Sequence, residues 1–190
     1  MKSEPSPQPP AAPDGQPRMS QEPDSETLLS CMELLFFAYR DFIGDPDAIL
    51  ESYGFGRAHH RVLHFVSRNP GLRVADLLDI LRITKQSLAR VLKQLVDEGY
   101  IEQEAGRTDR RERHLFVTDK GIALTNQLAE LQMARIRVAL TSAGPKADET
   151  LRRFLFAMIG EEQRPNVARI INRVRTPQTG AHEDETREAC

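Results

Sequence analysis

Tryptophan is absent, cysteine occurs only twice, and aromatic residues make up 6% of the chain. Cys31 and Cys190 give neither a disulfide framework nor zinc-ligand spacing, which suits a reducing cytoplasm. No apolar run approaches the roughly 20 residues that span a bilayer, so no membrane partner is expected. The N-terminus has no apolar signal-peptide core, and nothing indicates export. There is no internal repeat. Phosphate-loop, G-x-S-x-G and paired-cysteine metal motifs are missing, and no Ser-His-Asp arrangement is in view. Neither an enzyme nor a resident cofactor is expected. A large charge imbalance is also lacking, since the formal net charge is −2. Taken as a bulk figure, that argues against nucleic acid.

The distribution of charge points the other way. Residues 1–27 carry Lys2 and Arg18 against Glu4, Asp14, Glu22, Asp24 and Glu26. Residues 176–190 carry Arg187 against Glu183, Asp184, Glu185 and Glu188. Both ends are therefore acidic, and the stretch 28–175 is basic. Phosphate contacts are local, so clustering matters more than the total. Residues 1–24 hold Pro5, Pro7, Pro9, Pro10, Pro13, Pro17 and Pro23, and read as a disordered arm. Residues 176–190 read as a disordered polar tail.

Between these ends the apolar spacing is helical. Ser25 is the expected cap of a helix carrying Leu28, Met32, Leu35, Tyr39, Phe42 and Ile43. Gly44 and Pro46 end it. The run DAILESYGFG is ambiguous. A helix over 57–68 stops at Asn69-Pro70-Gly71. Residues 74–81 form a short helix, and Thr84 caps the next, which Gly99 ends. Residues 100–104 and 114–117 read as strands around a charged loop. Thr118 caps a long helix to about 140, broken by Gly144-Pro145, and two further apolar helical stretches follow. The fold class is mainly α, a winged helix-turn-helix (57–118) with terminal helices (25–45 and 119–175) forming a dimerisation region. The domain as a whole runs from 25 to 175.

The helix after Thr84 sorts into two faces. Leu88, Leu92 and Leu95 hold it to the domain; Lys85, Gln86, Ser87, Arg90 and Gln94 lie opposite. Gln can bond adenine bidentately, and Arg or Lys can bond guanine. Thr84 would offer its hydroxyl and the helix amides to a phosphate. Taken alone, such a face equally suits a solvated amphipathic helix. The loop that follows adds Arg107, Arg110, Arg111 and Arg113, with Gly106 at its turn. Unpaired arginines on a β-loop suit the minor groove. Asp109 is placed to orient Arg111 through a charge-assisted bond.

The helix pair VADLLDILRITKQSLARVLKQLVDEGYIE and the wing DRRERHLFVTDKG resemble the MarR family of bacterial transcriptional regulators. The family's wing pattern falls on Asp109, Arg111, Val117, Thr118 and Gly121, and the resemblance extends from 25 to 175. The segments AHHRVLHF and ITKQSLARVL look most like its PetP-like subgroup. Arg82 is a departure, since many members have Gly in that turn. The resemblance implies a cytoplasmic homodimer that reads a pseudo-palindromic double-stranded DNA operator, its first and last helices interleaved. It also implies a small-molecule effector, with Tyr39, His59, His60 and Arg61 near its pocket.

Two sensor readings stay open. His60 and His64 have the i, i+4 spacing that can hold a metal, but no third ligand is near, so no metal site is assigned. Cys31 sits among Leu29, Met32 and Leu35, where cysteine usually acts as a small hydrophobe. The alternative function is a winged-helix module that binds protein rather than DNA.

Overall fold

Single side chains set the starts and stops of the helices. In the computed structural model, which describes residues 22–106 and 109–173, α1 spans Ser25–Gly44. Its N-terminal amide at Thr27 is accepted by the Asp24 carboxylate at 2.8 Å. Asp24 therefore holds the capping role expected of Ser25, which is already the first helical residue. The arm and tail expected at 1–24 and 176–190 lie outside the described residues, apart from 22–24.

The chain divides into two compact units between Tyr39 and Arg40. In the first, α1 leaves Leu28, Leu34 and Phe36 exposed. The second unit holds the rest. After the end of α1 come α2 (Asp47–Ser52), α3 (Arg57–Arg68), β1 (Leu72–Arg73), α4 (Val74–Leu81) and α5 (Lys85–Asp97). Then follow β2 (Ile101–Ala105), β3 (Arg113–Val117), α6 (Asp119–Ala143), α7 (Ala147–Met158), a 3₁₀ turn (Glu161–Gln163) and α8 (Arg164–Arg173).

Helix α3 is the hub, packing against α4, α5, α6 and β3. Val62, Leu63 and Val66 are its buried stripe. They meet Leu77 and Leu81 of α4, Leu88, Leu92 and Leu95 of α5, and Leu124 and Leu128 of α6 in one apolar core. The sheet is antiparallel with order β1-β3-β2. Leu72 pairs with Leu115, and Ile101 with Val117. Leu115 is fully buried at the centre of the sheet. The result is a mostly helical chain with a small sheet, a winged helix.

The junction at Thr118 locks the wing to α6. Its hydroxyl accepts from the Gly121 amide at 3.2 Å and donates to the Gly99 carbonyl at 2.8 Å. A Cβ at position 121 would stand 2.3 Å from the Tyr100 carbonyl oxygen and 2.5 Å from Val117 Cγ1. Only glycine lets the helix approach that closely. Farther along α6, Gln132 donates to the Phe42 carbonyl at 3.1 Å, and Arg135 grips Asp45 at 2.5 and 2.6 Å. That bond holds the Asp45 carboxyl below its ordinary range. Beyond it, Ile136 and Val138 of α6 and Leu151, Phe154, Leu155 and Met158 of α7 stay exposed. No described helix is long and apolar enough to cross a membrane.

Candidate nucleic-acid interface

The turn from α4 to α5 is made by an arginine. Arg82 adopts the left-handed conformation (φ 51°, ψ 46°), which for a side chain with a Cβ costs about 1–2 kcal/mol. Its amide still closes on the Leu78 carbonyl at 2.9 Å. Arg61 reaches across from α3 to the Leu81 carbonyl at 3.1 Å. It thus satisfies an orphan carbonyl at the end of α4.

Thr84 then starts α5, its Oγ1 accepting from the Ser87 amide at 3.1 Å and donating to Ser87 Oγ at 2.9 Å. Both hydroxyls are thus engaged in the cap. Leu88, Val91, Leu92 and Leu95 bury one side of the helix. The side chains of Lys85, Gln86 and Arg90 are exposed on α5 and make no hydrogen bond or ion pair among the described residues. Lys93, farther along, is paired with Asp97.

Gln94 departs from the expected row. Its Oε1 faces His59 Nε2 at 2.9 Å, and its Nε2 donates to Glu98 Oε1 at 2.9 Å. Each i+4 step on a helix of 3.6 residues per turn advances the side chain by about 40°. Two such steps from Gln86 through Arg90 bring Gln94 round to α3.

The wing is anchored at its base. Gly106 donates its amide to the Glu112 carbonyl at 3.1 Å, closing the loop. Arg73 bonds Asp76 at 2.8 and 2.9 Å and Glu112 at 3.2 Å, tying the root of α4 to the wing. Those carboxylates push the Arg73 pKa further up. Asp109 accepts from the backbone amide of Arg111 at 2.8 Å, not from its guanidinium. The acid therefore shapes the turn and leaves the Arg111 side chain projecting. Arg113 folds back to the Arg110 carbonyl at 3.0 Å. The guanidinium groups of Arg110 and Arg111 are exposed without a partner among the described residues. Arg107 lies outside those residues.

His59 and Arg61 are engaged as above, His60 is buried, and Tyr39 is exposed in the other unit. Burial holds the His60 and His64 imidazoles below their ordinary value of 6.5, with His64 and Arg68 respectively adding to the effect. A cleft of about 250 Å³ lies elsewhere, beside the wing base, lined by Asn69, Arg73, Asp79, His114 and Arg169 among others. Among the described residues no three His, Cys, Asp or Glu side chains gather to hold a metal ion. Sequence reasoning missed β1, Arg73 and Glu112. A two-residue strand carries no alternation, and an ion pair between positions 73 and 112 has no sequence signature.

Residues 53–112, which contain α3, α4, α5, β2 and most of the wing, match the MarR family. The chain is 49% identical over 139 residues to the HTH-type transcriptional regulator PetP of Rhodobacter capsulatus, covering 73% of this chain and 84% of that protein. The chain belongs to the MarR family. As a MarR-family protein it is a transcriptional regulator rather than an enzyme. The fold agrees with solved members. A structure of Streptococcus pneumoniae FabT in complex with DNA superposes with a TM-score of 0.60 at 15% identity, over 77% of this chain and 99% of that one. A mutant of E. coli MarR, complexed with operator DNA, gives 0.55 at 19% identity, over 71% and 97%. In MarR-family terms, α5 is the second helix of the helix-turn-helix, and β2 and β3 are the strands of the wing.

Proposed function

We propose that the protein binds double-stranded DNA sequence-specifically as a homodimer and is controlled by a small-molecule effector. The observation that carries this reading is the free face of α5 beside the wing. Lys85, Gln86 and Arg90 are exposed and unpaired on a helix rigidly held from behind, with Arg110 and Arg111 projecting nearby in sequence. Unpaired polar groups on a fixed helix suit base edges in the major groove, and free guanidinium groups suit the minor groove. Thr84 and Ser87 place the amide end of α5 for a phosphate, since their side chains already serve the cap. Arg113 adds positive charge to the wing, and Arg107, outside the described residues, is proposed with it as a DNA contact. Two proteins of similar fold, Streptococcus pneumoniae FabT and a mutant of E. coli MarR, have been solved in complex with DNA.

Dimerisation is supported by exposed apolar side chains: Leu28, Leu34 and Phe36 in the first unit, and Leu151, Phe154, Leu155 and Met158 in the second. Surfaces of that kind are covered in a soluble assembly, and a second copy is the economical cover. Effector control is proposed to act through the first turns of α3, which carry His59, His60 and Arg61. His59 and Arg61 touch α5 and the end of α4, so a ligand there would shift the helix pair between arrangements.

Selection of duplexes from a random pool by the purified protein tests the reading. Enrichment of an inverted repeat is expected. If no duplex is enriched at low ionic strength while the protein is folded, the DNA-binding reading fails and a protein-binding winged helix takes its place.

A further inference from the structure

We propose that His59 is a positioning residue for the DNA-reading helix, acting through Gln94, and that Gln94 belongs to this internal link rather than to the base-reading face. The proposal rests on the DNA-binding reading above. The Gly56 amide donates to His59 Nδ1 at 3.1 Å, so that nitrogen keeps its lone pair. The ring proton then sits on Nε2 and is donated to Gln94 Oε1 at 2.9 Å. One neutral imidazole thus joins the first turn of α3 to the last turns of α5. Phe55 stacks on the ring at 4.8 Å with a 10° tilt, and Tyr100 closes edge-on against Phe55 at 5.1 Å. The ring has little freedom to turn.

Gln94 is held on its other side as well. Its Nε2 donates to Glu98 at 2.9 Å and points to the Gly54 carbonyl at 3.4 Å. Bidentate reading of adenine needs the amide oxygen and nitrogen of a glutamine together. Here both are engaged by other residues of the chain. The link fixes how α5 is rotated and tilted on α3, and with it the aim of Lys85, Gln86 and Arg90. Losing it would leave phosphate attraction intact and blur the discrimination between sequences.

The test uses the full-length chain and one duplex that the wild type selects from a random pool, with a scrambled duplex beside it. Anisotropy titrations give the ratio of the two affinities for wild type, His59→Phe, His59→Gln, Gln94→Leu and the double variant His59→Phe/Gln94→Leu. Phe keeps the ring and loses the bonds; Gln keeps an N–H at a reach comparable to Nε2. The Phe and Leu variants are expected to lose about tenfold in the ratio, the scale of one hydrogen bond, with scrambled-duplex affinity unchanged. The double variant should be no worse than either single one, and His59→Gln should recover most of the ratio. A base-by-base profile should show the loss spread over the site. If Gln94→Leu alters preference at one base pair while His59→Phe matches wild type, Gln94 reads a base and the proposal is wrong. Unchanged ratios throughout also overturn it. Should circular dichroism show His59→Phe unfolded, His59→Gln and Gln94→Leu decide. If the wild type selects no duplex, the DNA-binding reading itself fails and the link has nothing to aim.

Discussion

Under the proposed reading, Gln86 and Arg111 stand for two different kinds of DNA contact, one to base edges and one to phosphate. Gln86 is exposed in the opening turn of α5, held by nothing among the described residues. Gln86→Ala is expected to relax preference at one base pair by about 1–3 kcal/mol, read from titrations against single-position variants of the selected duplex. Unaltered selectivity at every position would remove it from the reading face. Arg111 projects from a turn that Asp109 holds by the backbone. Arg111→Ala should weaken selected and scrambled duplexes alike and reduce the salt slope by about one. A slope equal to the parent's would show that its guanidinium meets no phosphate. The exposure of both side chains is legible in residue type and order, because polar groups on a predicted helix and an arginine-rich loop are local signals. The place of Gln94 is not legible. Its partner stands 35 positions away in sequence, and a 40° drift per step is invisible to a pattern of alternate polar and apolar letters.

His60 and His64 carry a second residue-level consequence. Burial depresses both imidazoles below 6.5. The unfolded chain therefore takes up protons first as the pH falls through that value. Their neutral forms contribute stability that is complete above about pH 6.5 and is lost as the pH drops toward the folded-state values. The thermal midpoint should fall between about pH 7.5 and 5.5, and His64→Gln should show a smaller fall. An identical fall in the variant would show that His64 is not responsible.

At the scale of elements, the caps and close approaches explain why this order of helices and strands is stable. Residue type before an apolar run predicts caps at Thr84 and Thr118, and both accept from an amide three residues on. Helices α3 and α4 have the bounds that the sequence predicts, since Asn69-Pro70-Gly71 and the left-handed Arg82 punctuate the chain. Asp24 escapes prediction as a cap because Ser25 beside it is equally good by type. The glycine that follows Thr118 by three positions has a reason no periodicity reveals: it lets α6 touch the carbonyl of Tyr100. Gly121→Ala is expected to cost about 1–3 kcal/mol, because backbone and Val117 must move apart. Chemical denaturation measures it; a variant as stable as the parent would mean that the wing junction is loose. Thr118→Ala should cost about 1 kcal/mol by the same measurement.

At the scale of the molecule, the proposed dimer would cover the exposed apolar side chains of α7. Leu155 and Phe154 are each 47% exposed in the single chain. Leu155→Asp, alone or with Phe154→Asp, is expected to shift the sedimentation coefficient from that of a dimer to that of a monomer while the far-ultraviolet spectrum stays helical. A variant that sediments with the parent would place the interface elsewhere. Loss of the dimer should also weaken DNA binding steeply, since two half-sites would no longer be held by one particle. The sequence suggests dimerisation through helices too apolar for a small winged domain to absorb.

The pairing of one α5 and one wing per half-site is tested most directly by hydroxyl-radical and methylation footprinting on the selected duplex. Two major-groove patches, with centres about one helical turn or a multiple of it apart, should be protected, each flanked by a protected minor groove. A single patch without two-fold symmetry, or protection confined to the backbone, would contradict the account.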